Sequence, residues 1–130
     1  MAQLCGDAHL SNFGGFATPE RKVIFSINDL DETLPAPWEW DVKRLAASFV
    51  VASRDNGLKA SFAGEAAQAC VRTYRETMAE LSEMRTLELW YRSLDLHDLV
   101  AGIGDPAIRK RATARLQKEK GKSIAEDVFP

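Results

Sequence analysis

The chain has 130 residues, of which 45% are hydrophobic and 28% are charged, and its formal net charge at pH 7 is −2. This composition is typical of one globular domain and excludes a disordered chain or a strongly basic nucleic-acid-binding protein. Cys5 and Cys70 are too few and too far apart for a disulfide scaffold or a zinc site. No apolar run approaches the roughly 20 residues of a membrane span, and the N-terminus lacks the features of a signal peptide. We therefore expect a cytoplasmic protein without a membrane partner.

The first predicted element is a polar loop, Gly6-Asp7-Ala8-His9-Leu10-Ser11-Asn12. We predict a β-hairpin after it, with strands at residues 12–17 and 22–28 and a turn at residues 18–21 in which Pro19 presets φ. Val23, Phe25 and Ile27 alternate on one face of the second strand, and Asp29 follows that strand. Residues 1–4 are too short to add a strand.

Helical patterns fill the chain after Pro37, and we predict helices at residues 38–56, 61–84, 86–100 and 108–120. The first helix is apolar over much of its surface and is expected to be central. The fourth helix is basic. Its basic residues form either a solvated face or a surface that covers substrate in the full-length protein. Its basic residues are Arg109, Lys110, Arg111, Arg115, Lys118 and Lys120. We do not expect nucleic-acid binding, because no aromatic residues are interleaved and the net charge is negative. Residues 123–130 are expected to form a loose tail.

The loop and the strand end together carry a pattern of oxygen-bearing side chains. Phosphoryl transfer needs a carboxylate that accepts or orients the proton of a hydroxyl, and oxygen ligands for a metal ion. Mg²⁺ usually takes only one or two protein carboxylates, with water and phosphate as its other ligands. Asp7, five positions before Asn12 and followed by Asp29 at a strand end, fits this requirement. We predict Asp7 as the catalytic base and Asn12 and Asp29 as metal ligands, although Asp and Asn after Gly are also ordinary turn formers.

These segments resemble two known families. Residues 6–12 and 27–31 resemble the catalytic loop (H-G-D-x-x-x-x-N) and the metal-binding segment of aminoglycoside phosphotransferases. The chain resembles more closely an uncharacterised bacterial family, domain of unknown function 2252, which is grouped with the protein-kinase-like fold. The residues that carry this second resemblance lie at 6–14, 28–32, 40–46, 90–91 and 109–112.

The resemblance implies ATP and Mg²⁺ as cofactors and a small molecule with an alcohol group as the substrate. Cys5 stands where the phosphotransferases usually have His. Leu30-Asp31 replaces the Phe-Gly of protein kinases, which argues against a protein substrate.

Three further polar residues are candidates for supporting roles. We expect His9 to support the loop by hydrogen bonding rather than to contact a phosphate. Asp31 is either a second metal-facing carboxylate or part of a solvated turn. Asp41 begins a helix, where a carboxylate accepts backbone N–H groups, and the resemblance implies that it braces the loop.

The predicted fold is α+β, a short β-hairpin followed by a mainly α-helical bundle, resembling the C-terminal lobe of a kinase-like fold. We expect a single domain over residues 1–130, with the loop and metal-binding hairpin in 1–36 and the helical part in 37–122. A kinase needs a nucleotide-binding lobe before this loop. We therefore expect a fragment of a phosphotransferase that is inactive alone. The alternative, a non-catalytic kinase-like binding or scaffold domain, stays open.

Overall fold

The computed structural model describes residues 1–19 and 22–126, and only the backbone of residues 118–126. In chain order it forms the strand β1 (Ala2–Leu4), a 3₁₀ turn (Leu10–Asn12) and the strands β2 (Phe13–Ala17), β3 (Val23–Ile27) and β4 (Leu34–Ala36). The helices that follow are α1 (Glu39–Asp55), α2 (Ala60–Ser82), α3 (Thr86–Tyr91), α4 (Leu96–Ala101) and α5 (Pro106–Glu126). The predicted α+β class, short strands followed by helices, is confirmed.

The chain divides into two compact units. The first consists of Met1–Gly14 and Ile27–Arg92, and the second of Gly15–Ser26 and Ser93–Pro130. Strand β2 begins in the first unit and ends in the second, and its partner β3 begins in the second unit and ends in the first. All the residues predicted for the functional site lie in the first unit.

The first unit contains a strand pair that the sequence did not predict. β1 pairs antiparallel with β4, with Ala2 opposite Ala36 and Leu4 opposite Leu34. Leu4 and Ala36 are buried, at 4% and 3% exposure. The expectation that residues 1–4 form no strand is wrong, because β1 finds its hydrogen-bonding partners in a distant segment that no local pattern indicates.

The helices α1 and α2 of the first unit pack against each other. Gly57, which follows α1, has a φ of +67°, a left-handed conformation that suits glycine at a helix end. The rings of Trp38 and Tyr74 stack with their centroids 5.6 Å apart. α1 is less enclosed than its apolar sequence suggests, since Val51 is 65% exposed.

The single helix predicted for residues 86–100 is wrong, because the chain leaves the helical conformation after Tyr91 and re-enters it at Leu96. The carbonyl of Leu94 accepts the Phe25 N–H at 2.8 Å, and Asp95 forms a bridge with Ile24. The Asp95 carboxylate then accepts the His97 N–H at 2.8 Å and caps α4. Strand β3 thus provides backbone partners that favour an extended conformation at this point.

In the second unit, α5 is longer than the helix predicted for residues 108–120. The Asp105 carboxylate caps its first turn by accepting the N–H groups of Ala107 (2.7 Å) and Ile108 (3.1 Å). Residues 123–126, predicted as part of a loose tail, continue the helix, since no proline interrupts it there. Residues 127–130 lie outside the described residues, as do the side chains of Lys118 and Lys120. No helix in the described part of the chain is long and apolar enough to cross a membrane.

Candidate functional site

The polar loop lies against one face of α1. Asp41, Arg44 and Ser48 are three and four positions apart, so they share that face. Each of them contacts the loop or the residues that lead into it. Ser48 holds its far end: the Ser48 Oγ accepts the Leu10 N–H at 3.1 Å and donates to the Leu45 carbonyl at 2.7 Å. One helix face therefore supports the loop along its length.

Asp41 holds the beginning of the loop. Its carboxylate accepts the Cys5 N–H at 2.9 Å through Oδ2 and the Gly6 N–H at 3.3 Å through Oδ1. The residue predicted as a helix-start carboxylate thus accepts N–H groups from the loop. Burial raises the pKa of the Cys5 thiol above its usual 9.0, and the negative charge of Asp41 raises it further.

The backbone of this loop requires glycine at position 6. Its φ of +87° is in the left-handed region, which residues with a Cβ rarely adopt. A Cβ at this position would also lie 2.0 Å from the carbonyl oxygen of Glu32. The close approach of these two backbone segments brings the loop beside the residues that follow β3.

The Asp7 carboxylate is held from both sides. Its Oδ1 is buried and forms an ion pair with Nη2 of Arg44, and its Oδ2 lies 3.2 Å from Nε2 of His9. Nδ1 of the same imidazole accepts the Ser11 N–H at 3.2 Å. Because Nδ1 is an acceptor, the imidazole proton lies on Nε2, the nitrogen that faces Asp7.

Asn12 connects the loop to the end of β3. Its Nδ2 donates to the carbonyls of Asp7 and Asp29, each at 3.0 Å. Its Oδ1 accepts the Asp29 N–H at 2.8 Å. The residue is 5% exposed, so this amide is a buried connection between the segments that carry the two carboxylates. The side chain of Asn12 thus joins the main chains of Asp7 and Asp29, the two other residues that the sequence names as candidates.

Asp29 and Asp31 lie on the open side of the site. The Asp29 Oδ1 accepts the Asp31 N–H at 3.2 Å, which makes a local turn, and both residues are exposed. The backbone of Asn28 joins the same connection by donating its N–H to the Asn12 carbonyl at 2.9 Å. Among the described residues, no hydrogen bond or ion pair joins the Asp31 side chain to the loop, whereas its backbone N–H donates to the Asp29 carboxylate.

The sequence of the chain matches the model of a known protein family. A family model described as "Uncharacterized protein conserved in bacteria (DUF2252)" matches residues 1–129. The chain belongs to this family. The match includes both the loop and the α1 face that supports it, and it confirms the resemblance to domain of unknown function 2252. No curated protein and no solved structure matches the chain.

The oxygen atoms of this DUF2252 site fit the ligand preference of Mg²⁺. Asp29 is exposed, and the Asp7 side chain is 29% exposed. Asn12 Oδ1 already accepts one N–H, which leaves it one lone pair. Within the described residues, no group of three or more His, Cys, Asp and Glu side chains is arranged to hold a metal ion. A magnesium site here would therefore use few carboxylates, with water and phosphate as further ligands.

Sequence reasoning missed Arg44 and Ser48 as members of the site. Both lie at helical spacing from Asp41, so the shared face of α1 could have identified them. That spacing becomes informative only when α1 is known to lie beside the loop. The contact is non-local, which explains why the sequence did not reveal it.

Proposed function

We propose that this chain carries the catalytic loop of an ATP- and Mg²⁺-dependent phosphotransferase with a kinase-like fold. The substrate is a small molecule with a hydroxyl group. Asp7 is the base that receives the hydroxyl proton, and Asn12 and Asp29 are the metal ligands. Because ATP is the phosphoryl donor, we place the reaction in the cytoplasm.

One observation carries this proposal. The side-chain amide of Asn12 hydrogen-bonds the main chain of both Asp7 and Asp29, at 2.8–3.0 Å. The backbones of two aspartates from separate segments are thereby joined through one buried residue. Phosphoryl transfer depends on the positioning of a base relative to a metal ion, and a rigid connection between them serves that requirement.

The side chains of the site have different roles in the proposed reaction. Asp7 is held by His9, whose neutral Nε2–H orients one carboxylate oxygen without neutralising its charge. Asp29 is exposed, so an ion can reach its carboxylate without displacing packed side chains. Mg²⁺ bound there would neutralise charge on the phosphates of the donor.

A non-catalytic binding or scaffold domain is the second candidate, and the same contacts supply an observation in its favour. Both oxygens of Asp7 face donors of the protein, and the Asn12 amide is engaged with backbone groups. Such contacts would also stabilise a loop that no longer takes part in a reaction.

Isothermal titration of ATP with and without Mg²⁺ separates the two candidates. We expect Mg²⁺ to strengthen ATP binding to the wild-type chain and Asp29→Asn to remove most of that gain, about tenfold in affinity. Asp7→Asn should retain Mg²⁺-dependent binding, because a base acts in the reaction rather than in holding the nucleotide. Asp55→Asn, which changes an exposed carboxylate at the end of α1, is the matched control. Equal ATP binding by wild type and Asp29→Asn, or no effect of Mg²⁺, would contradict the phosphotransferase.

A further inference from the structure

Arg44 occupies a position in the site that the base and metal roles do not explain. Its Nη2 contacts the buried Oδ1 of Asp7, yet its side chain is 54% exposed. A guanidinium carries five N–H donors in a planar fork, and the pair with Asp7 is the contact that the structure records for it. Because more than half of the side chain is exposed, solvent reaches Arg44 next to the carboxylate proposed as the base.

The chemistry of phosphoryl transfer provides a ligand for those donors. The transferred phosphoryl group carries negative charge on oxygens that lie next to the attacking hydroxyl, and hence next to the base. Arginine binds phosphate oxygens through two parallel N–H donors, with both geometric and electrostatic complementarity. An exposed cation that is paired to the base lies where such a group would be bound.

We propose that Arg44 binds the phosphoryl group that is transferred, and that Asp7 is its partner only while the site is empty. This inference rests on the proposed phosphotransferase function. In the step, the substrate hydroxyl oxygen bonds to the γ-phosphorus of a nucleoside triphosphate. The bond from that phosphorus to the bridging oxygen breaks, and its electron pair leaves with the nucleoside diphosphate. The hydroxyl proton passes to the Asp7 carboxylate.

His9 makes this exchange of partners feasible. When Arg44 moves to the phosphoryl group, Oδ2 of Asp7 keeps the neutral Nε2–H donor of His9 at 3.2 Å. The carboxylate stays oriented, while Oδ1 loses its cation and becomes available to the substrate proton. The two contacts of Asp7 thus have different roles: His9 positions the base, and Arg44 alternates between the base and the phosphate.

The neighbouring Lys43 supplies a matched control. Lys43 is an exposed cation on the same helix, and it makes no ion pair among the described residues. Lys43→Gln and Arg44→Gln remove the same charge from adjacent positions, so general electrostatic attraction would weaken in both. Only a bound phosphate group at Arg44 would distinguish them.

The test is a calorimetric titration of the chain with inorganic tripolyphosphate in the absence of Mg²⁺. We expect Arg44→Gln to weaken binding about tenfold or more, the scale of a lost hydrogen bond to a charged group, and Lys43→Gln to have a much smaller effect. Asp7→Asn should strengthen binding, because it removes the anion that competes for Arg44. The double variant that combines Asp7→Asn with Arg44→Gln should lose that gain in affinity. Arg44→Lys keeps the charge and the ion pair, so it should fold and bind with an intermediate affinity.

Three results would overturn the inference: no tripolyphosphate binding by the wild-type chain, equal losses in Lys43→Gln and Arg44→Gln, or no gain in Asp7→Asn. Arg44 would then be a partner of Asp7 alone, and its substitution would change only the melting temperature. Because no metal ion is present, these outcomes do not depend on Asp29. The phosphotransferase itself fails separately, when ATP binding shows no Mg²⁺ dependence.

Discussion

The Asp41 carboxylate on α1 accepts the backbone N–H of Cys5 at 2.9 Å, and it extends the same support to the next residue, Gly6. Hydrogen bonds to an ionised carboxylate are shorter and stronger than those between neutral groups. The first turn of α1 therefore fixes the backbone at the two residues that directly precede Asp7. This contact joins the stability of the fold to the geometry of the site.

Loss of that contact should be measurable in unfolding experiments. We expect Asp41→Ala to lower the free energy of unfolding by about 1.5–3 kcal/mol, the cost of removing a charged acceptor from its donors. Glu39→Ala is the control, because Glu39 is also an acidic residue in the first turn of α1, and no hydrogen bond joins its side chain to the loop among the described residues. Urea unfolding of both variants would measure the difference. Equal effects would mean that Asp41 acts only through the helix dipole.

Gly6→Ala should destabilise the protein more than Gly57→Ala does. Both glycines have left-handed φ angles, +87° and +67°, which cost an alanine about 1–2 kcal/mol. A Cβ at Gly57 meets no atom within 4 Å, whereas one at Gly6 would lie 2.0 Å from the Glu32 carbonyl oxygen. The difference between the two free energies of unfolding therefore isolates the close approach of the loop to residue 32. Equal destabilisation would show that the two segments are not in contact.

The Cys5 thiol should be alkylated more slowly than an unperturbed thiol. Burial and the charge of Asp41 raise its pKa above 9.0, so less thiolate is present at a given pH. Burial alone raises the pKa of Cys70. In single-cysteine variants, Asp41→Asn should therefore lower the pH midpoint of iodoacetamide reaction at Cys5 and leave that of Cys70 unchanged.

The same shift predicts how stability depends on pH. The pKa of the Cys5 thiol is higher in the folded protein than in the unfolded chain. Its contribution to the free energy of unfolding is therefore present below pH 9.0 and is lost as the pH rises through the folded pKa. Two results would contradict the environment assigned to the Cys5 thiol. One is a pH midpoint of its alkylation at or below 9.0, and the other is an equal shift of the Cys5 and Cys70 midpoints in Asp41→Asn.

The sequence predicted the features of this protein that depend on local patterns. The alternation of Val23, Phe25 and Ile27 identified β3, and helical periodicity identified α1 and α2 to within a few residues. The motif of Asp7, Asn12 and Asp29 named three residues that are connected by hydrogen bonds of the Asn12 side chain to the main chain. Each of these signals lies within one element or follows from the two ends of one hairpin.

The features that the sequence did not reveal depend on contacts between distant segments. β1 exists because β4 pairs with it, and the break between α3 and α4 exists because Leu94 pairs with Phe25. Arg44 lies in a segment that also carries the family resemblance, yet its role depends on the loop beside α1. Tertiary contacts determine these features, and no periodicity in the sequence encodes them.

The 130-residue chain should show no appreciable phosphotransfer by itself. Asp29 and Arg44 are exposed, so their charges act through water rather than in an enclosed site, and such charges stabilise a transition state poorly. Incubation with ATP, Mg²⁺ and a panel of aminoglycosides, sugars and amino alcohols would test this, with Asp7→Asn as the background. Turnover of ~1 s⁻¹, the scale typical of kinases, would contradict it.

The central claim is that Asp7, Asn12 and Asp29 surround one metal position. The most direct measurement is paramagnetic broadening of amide resonances by substoichiometric Mn²⁺, which takes the same oxygen ligands as Mg²⁺. The account predicts that the amides of Asp7, Asn12 and Asp29 broaden first in the wild-type chain, and that Asp29→Asn abolishes this while Asp55→Asn does not. Broadening centred on other carboxylates, or broadening of these three amides that survives Asp29→Asn, would contradict it.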